Sequence, residues 1–131
     1  MSDDYVIDAS ALVLALVGKD EAARTLRARL PAMRQHAPHL IDAEVGNVLR
    51  RHLRAGLVSV AEASTALRSL RALVPHRYPH VGPLAEVAWK YRDKLSFYDA
   101  LYVALAAQLG VPLLTADVRL SKAAQCAVEL V

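Results

Sequence analysis

An α/β fold, a parallel sheet covered by helices on both faces, is what the sequence predicts, and three observations predict it. Short strand-like runs recur along the chain, at Tyr5-Val-Ile-Asp8, near Ala37, at Val111 to Thr115 and at Ala127 to Val131. Segments of helical periodicity lie between them, so the chain must cross from strand to strand through helices. The opening run is apolar without alternation, the mark of a strand buried on both faces.

The elements follow in order. Tyr5-Val-Ile-Asp8 opens the fold as a strand, and Ser10 is expected to cap a helix from Ala11 to Val17 that Gly18 stops. Asp20 caps a second helix from Glu21 to Leu30, ended by Pro31. A brief strand near Ala37 to Leu40 suits the layout. A helix from Asp42 to Arg54 closes at Gly56, and another runs from Ser59 to Ala72, with Glu62 completing a capping box. Val74 to Tyr78 reads as a strand. Pro83, at a first helical position, begins a helix through Tyr91 with Leu84, Val87, Ala88 and Tyr91 on one face. A long helix from Phe97 to Leu109 ends at Gly110. The strand Val111 to Thr115, a short helix Val118 to Ala124 and the strand Ala127 to Val131 complete the chain.

With 131 residues, the chain is one domain, 1–131, large enough to bury a core without disulfides or a structural metal. Hydrophobic residues make up 55%, which excludes a disordered chain. The single cysteine, Cys126, sits in an apolar run and is expected to be a core thiol. No CxxC or Cys/His cluster suggests zinc. No apolar run approaches the ~20 residues that span a bilayer. The start, Ser2-Asp3-Asp4, is acidic where a signal peptide would be basic, so a cytoplasmic protein with no membrane contact is expected. Net charge is +3. Its basic residues gather in Arg50-Arg51-His52 with Arg54, in Arg68 and Arg71, and in Lys90, Arg92 and Lys94. Each group reads first as a solvated helix face and only weakly, taken alone, as a contact for a polyanion.

Four carboxylates stand out by position. Asp8 ends the first strand and Asp117 follows the strand at Leu113 to Thr115, so both point to the edge where such sheets bind ligands. Each also reads as a helix cap. Asp99 begins a helix whose only other strictly polar side chain, up to Leu109, is Gln108. A helix apolar on nearly every side is buried, and a buried carboxylate needs a partner. A capping box with Ser96 would satisfy it locally; a ligand is the other solution. Glu44 lies in the first turn of its helix, beside the apolar stripe Ile41, Val45, Val48 and Leu49, with Asn47 and Arg51 on its own face at i+3 and i+7. Arg51 is therefore expected to flank any pocket that Glu44 enters. Four acids brought together repel, and a hard divalent cation resolves the repulsion. Carboxylate oxygens without His or Cys suit Mg²⁺ or Mn²⁺, and such sites serve phosphate chemistry.

Four motifs carry a family resemblance: Tyr5-Val-Ile-Asp8-Ala-Ser10-Ala-Leu, Asp42-Ala-Glu44-Val-Gly-Asn47-Val-Leu-Arg50-Arg51, Ser96-Phe-Tyr-Asp99-Ala-Leu-Tyr-Val-Ala-Leu-Ala, and Leu113-Leu-Thr115-Ala-Asp117-Val-Arg-Leu. In this order, over essentially the whole chain, they resemble the PIN-domain nucleases and, among these, the VapC-type toxins. The resemblance implies a PIN-like three-layer sandwich and a Mg²⁺- or Mn²⁺-dependent endoribonuclease. Asp8, Glu44, Asp99 and Asp117 match the family's acidic catalytic pocket, with Asp8 and Asp99 foremost among the metal ligands. Ser10 and Thr115 match polar supporting positions, and Asn47 a residue behind the ligands. A homodimer, a VapB-type antitoxin that occludes the pocket, and RNA as substrate all follow from the resemblance alone.

Two rival functions use similar material. A phosphoryl-accepting receiver domain also binds Mg²⁺ at strand ends, but it wants an acidic pair after the first strand, whereas Asp3-Asp4 precedes it, and a lysine closing the last strand. A non-catalytic PIN scaffold that binds nucleic acid would gain by losing its acids. Trp89, Tyr98 and Tyr102 offer stacking surfaces for RNA bases, with core packing expected for at least two of them.

Overall fold

A computed structural model describes residues 3–131; Ser2, part of the acidic start, lies outside them. Five strands, β1 (Asp4–Ile7), β2 (Arg34–Pro38), β3 (His76–Tyr78), β4 (Leu113–Thr115) and β5 (Val128–Leu130), form one sheet in the order β3-β2-β1-β4-β5. Every pairing is parallel. Seven α-helices connect and cover them: α1 (Ala9–Val17), α2 (Glu21–Arg29), α3 (Ile41–Arg54), α4 (Val60–Leu73), α5 (Pro83–Trp89), α6 (Phe97–Leu109) and α7 (Val118–Ala123). Val6 and Ile7 in β1 are fully buried, as are Leu113 and Leu114 in β4. Successive strand residues face opposite ways, so helices must seal both faces of the sheet. This is the three-layer sandwich that the sequence predicts.

The order of the strands decides where a site can form. From β1 the chain steps outward through β2 to β3, then returns to the other side of β1 for β4 and β5. The connections leaving β1 and β4 thus part in opposite directions and open a crevice at the carboxyl edge between them. A receiver domain orders its strands 2-1-3-4-5. The observed order rules out that rival.

Local chemistry explains most boundaries. Ser59 and Glu62 form the predicted capping box, each side chain accepting from the other residue's backbone N–H at 3.0 and 2.9 Å. Helix α6 spans the predicted range and buries Ala100 through Ala106 continuously. Its stop, Gly110, has φ +67°, a left-handed conformation that costs glycine nothing. Gly18 is required for space instead: a Cβ there would stand 2.4 Å from the Leu14 carbonyl oxygen.

Three expectations change. The cap of α1 is Asp8, whose carboxylate accepts from the Ala11 N–H; Ser10 lies inside the helix. Strand β2 begins three residues earlier than Ala37, since it includes Arg34, Gln35 and His36, and it ends at Pro38. Pairing with β1 imposes that strand, and Asp4 secures it by accepting from Arg34 and by meeting His36 Nε2 at 2.7 Å. Helix α5 ends at Trp89 rather than Tyr91, because Lys90, Tyr91 and Arg92 tighten into three-residue turns. Cys126 is half-buried at the edge of the core, and burial pushes its thiol pKa up.

Candidate active site

Asp8 stands where the buried centre of the sheet ends, and only 6% of it is exposed. Its Oδ1 accepts from the Ser10 hydroxyl at 2.7 Å and from the Ala11 N–H at 3.0 Å, and its Oδ2 accepts from the Thr115 hydroxyl. Ser10 Oγ and Thr115 Oγ1 are 3.2 Å apart. They accept in turn from the N–H groups of Ala116 and Asp117, both at 3.0 Å. These hydroxyls therefore tie β1 to the turn after β4 and hold the Asp8 carboxylate in one orientation. With three donors placed, Oδ2 keeps a lone-pair direction open.

The other acids come from three further elements. Asp117 caps α7, its Oδ1 accepting from the Leu120 N–H at 3.1 Å. Asp99 lies in the first turn of α6, where its N–H donates to Ser96 Oγ at 3.1 Å. The return bond of a capping box is replaced: the Asp99 carboxylate turns to Arg119, whose Nη2 lies 3.0 Å from Asp99 and 3.2 Å from Asp117. Glu44 enters from α3, half-buried, and accepts from the Tyr102 hydroxyl at 2.6 Å. Burial and the neighbouring Glu44 raise the Tyr102 pKa, so the phenol stays a donor.

All four acids line one cleft of about 730 Å³. Ser10, Tyr102 and Arg51 share its wall, and Val13, Val48 and Leu57 make part of it apolar. Burial pushes the Asp8 carboxyl above its ordinary pKa, against the lowering effect of its three donors, and the negative charge of Asp99 adds to the rise. Glu44 is raised for the same leading reason, with Asp99 and Asp8 contributing. For both carboxyls burial is the leading cause, and the like charge of neighbouring acids adds to it.

Among the described residues, no three His, Cys, Asp or Glu side chains form a tight metal cage. The acids share a cleft instead. That arrangement still fits Mg²⁺ or Mn²⁺, since Mg²⁺ is commonly held by one or two carboxylates, waters and substrate phosphate. An oriented Asp8 with one open lone pair, sharing the cleft with an Asp99 carboxylate that meets only a side chain, Arg119, among the described residues, is such a partial donor set.

The structure brings together Asp8, Glu44, Asp99, Asp117, Ser10 and Arg51, with Thr115 buried directly behind Asp8. Arg51 flanks the cleft as its i+7 spacing predicts, and no ion pair joins it to Glu44 among the described residues. Asn47 is not brought in: it is exposed and absent from the lining, because i+3 carries it past the edge where Val48 and Arg51 face inward. Two participants escape sequence reasoning. Arg119 is close to the acids only through the α7 turn, and Tyr102 shows its role only through the packing of α6 on α3. Of the three aromatics, Tyr102 alone is in the core; Trp89 and Tyr98 are exposed.

Comparison with known proteins agrees with this architecture. The PIN domain family model matches residues 5–125. The chain is 48% identical over 131 aligned positions to Ribonuclease VapC1 of Mycobacterium tuberculosis, covering 98% of each. It is 44% identical over 128 positions to Ribonuclease VapC9 of the same organism, covering 96% of this chain and 97% of the relative. The crystal structure of PAE2754 from Pyrobaculum aerophilum superposes with a TM-score of 0.74 at 28% identity, spanning 95% of this chain and 82% of that one.

Proposed function

The chain belongs to the PIN-domain family, and from that premise we propose that it is a Mg²⁺- or Mn²⁺-dependent endoribonuclease of the VapC toxin type. On this proposal residues 1–131 act as one domain, in the cytoplasm, as a homodimer. A VapB-type antitoxin folds over the cleft to silence it. No helix among the described residues is long and apolar enough to cross a membrane.

The observation that carries the proposal is the convergence of Asp8, Glu44, Asp99 and Asp117, from four separate elements, on one cleft at the carboxyl edge of the sheet. A fold alone has no use for that much negative charge in one place. Asp8 and Asp99 are the residues that would hold the metal first, with Glu44 and Asp117 beside them. When bound, the metal supplies an acidified water and neutralises charge building on the scissile phosphate. Ser10 and Thr115 keep Asp8 from rotating, and Tyr102 does the same for Glu44. Arg119 holds Asp99 and Asp117 in place before substrate arrives. Such fixed supports are what make a site productive, because a carboxylate that wanders must be ordered anew at each turnover.

The test is cleavage of total cellular RNA with mapping of the new ends. Cutting should require Mg²⁺ or Mn²⁺ and stop with EDTA. Full-rate cleavage in EDTA would exclude metal-dependent chemistry, and no cleavage under any condition would favour a PIN scaffold that only binds.

Arg51 supplies a second expected result. Exposed at the cleft wall, it is placed to contact a phosphate of the bound strand, which adds affinity without sequence preference. Arg51→Ala should weaken RNA binding and reduce the salt dependence by about 0.7 in log–log slope, the value for one phosphate on a single strand. An unchanged slope would return Arg51 to the solvated surface.

A further inference from the structure

At the end of α5 and the start of α6, the structure exposes three aromatic rings that the catalytic chemistry does not use. Trp89 is 58% exposed, Tyr98 59% and Phe97 40%. Single exposed apolar residues are ordinary, but Trp89 and Phe97 meet ring to ring, and Tyr98 follows directly in the chain. Nor is Trp89 a loose side chain. Arg92 lies over one face of its indole, 5.5 Å from the ring centroid, and is anchored there by donating to the Trp89 carbonyl at 3.0 Å. Phe97 meets the indole edge-on, with centroids 6.3 Å apart. Held from two sides, the ring presents its remaining surface to solvent with little conformational freedom left to lose.

Position ties these rings to the site. Tyr98 is one helical turn before Tyr102 on the same face of α6, and adjacent in sequence to Asp99. Tyr102 and Asp99 both line the cleft; Tyr98 is exposed and adjoins Asp99 in the chain without lining the cleft itself. Phe97, whose ring meets Trp89, precedes Tyr98 in the chain. The turn between α5 and α6 carries Lys90, Arg92 and Lys94 against the single acid Asp93, all exposed. Lys90, Asp93 and Lys94 border a separate depression of about 410 Å³.

We propose that Tyr98 and Trp89 form a stacking platform for unpaired bases flanking the scissile bond, with Lys90, Arg92 and Lys94 contacting the adjoining phosphates. Aromatic faces next to cations are how proteins hold single strands: every base has a face to stack, and the backbone seeks the charge. The geometry selects a single strand over a duplex, whose bases are already stacked and cannot reach the rings. The platform rests on the nuclease proposal for the identity of its strand, and on the rings and charges for its chemistry.

Trp89 is the chain's one tryptophan, so its fluorescence reports on the platform directly. The probe is a twelve-residue oligoadenylate in EDTA, compared with the same strand paired to oligouridylate. The single strand should quench Trp89 saturably, and the duplex far less. By anisotropy of the labelled strand, Tyr98→Ala and Trp89→Ala should each weaken binding about five- to a hundredfold. Tyr98→Phe, which keeps the ring, should restore most of that, while the salt slope stays near wild type. Lys94→Ala should do the opposite, lowering the slope with a smaller loss of affinity. The proposal is overturned if the strand leaves Trp89 unquenched or both alanine variants bind normally. It is equally overturned if Trp89 responds only to protein concentration while scattering shows a doubled mass, which would assign the rings to a second copy. Cleavage by the same preparation in Mn²⁺ keeps the two proposals apart: cutting without quenching sinks only the platform, and quenching without cutting sinks only the nuclease.

Discussion

Asp99→Asn is expected to reduce RNA cleavage by more than a hundredfold at saturating Mn²⁺ while leaving the melting temperature within a degree or two of wild type. The first half follows from its position. Loss of a group that merely supports a metal ligand typically costs about 10–100-fold, so loss of a ligating carboxylate should exceed that. The second half follows from its partners. Among the described residues, the Asp99 side chain has no backbone hydrogen bond to lose and pairs with Arg119 alone, which is 66% exposed. Exposed ion pairs contribute roughly 0–1 kcal/mol, and Asn keeps the shape and one acceptor. The Ser96 cap of α6 uses the Asp99 backbone N–H and survives the substitution. Turnover of a fluorogenic RNA and thermal melting by circular dichroism check both halves. Retained activity would remove Asp99 from the metal site, and a large drop in melting temperature would make it a structural residue.

Asp8→Asn is expected to separate stability from activity in the opposite direction. Burial raises the folded-state pKa of Asp8, and the folded protein therefore holds this proton more tightly than the unfolded chain. The contribution of a group with a raised pKa is fully present below the unfolded value, about 3.9, and is lost as pH rises through the folded value. Above that value the charged carboxylate is thus a burden on the metal-free fold. Asn removes that burden and keeps what the fold needs: it caps a helix as well as Asp, and its amide can still satisfy the hydroxyls of Ser10 and Thr115. The metal-free variant should melt higher than wild type at pH 7, and the gap should close as pH falls. Asp8→Ala, which loses the cap at a cost of about 1 kcal/mol, should not share the gain. Metal reverses the order. At a hundredfold excess over its dissociation constant, Mn²⁺ should stabilise the wild type by about 2.7 kcal/mol and Asp8→Asn much less. Melting curves with EDTA and with Mn²⁺, at pH 5 and pH 7, are the measurement. A lower melting temperature for metal-free Asp8→Asn, with equal Mn²⁺ shifts for both proteins, would make Asp8 a helix cap and nothing more.

The two acids differ in a way that neither spacing nor composition reveals. Asp8 is locked by three donors and buried; the Asp99 carboxylate is held by one exposed arginine, Arg119. A metal would find one ligand already oriented and the other free to adjust. Glu44, its pKa raised chiefly by burial and its carboxylate held by the Tyr102 hydroxyl, completes the wall.

What the sequence by itself determined was everything written in local chemistry or in strong periodicity. Helix α6 was legible because its apolar character and its stop at Gly110 are properties of consecutive residues. The capping box of α4 needed only Ser59 and Glu62, and the sheet edge holding Asp8 and Asp117 followed from each ending a strand in a parallel sheet. Arg51 was placed on the Glu44 face by helical spacing alone. Tertiary structure decided what depends on groups far apart in the chain. Arg34, Gln35 and His36 have no strand-like character, and β1 made them a strand by offering hydrogen bonds and a carboxylate. Asp8 rather than Ser10 became the cap because Ser10 was drawn into bonds with the turn beyond β4, more than a hundred residues away. Arg119 entered the site, Asn47 stayed outside it, and Tyr98 remained in solvent while Tyr102 went under. Each outcome was set by how helices seated against one another. A helix face has a direction in the sequence, but what it meets is fixed only when the core closes.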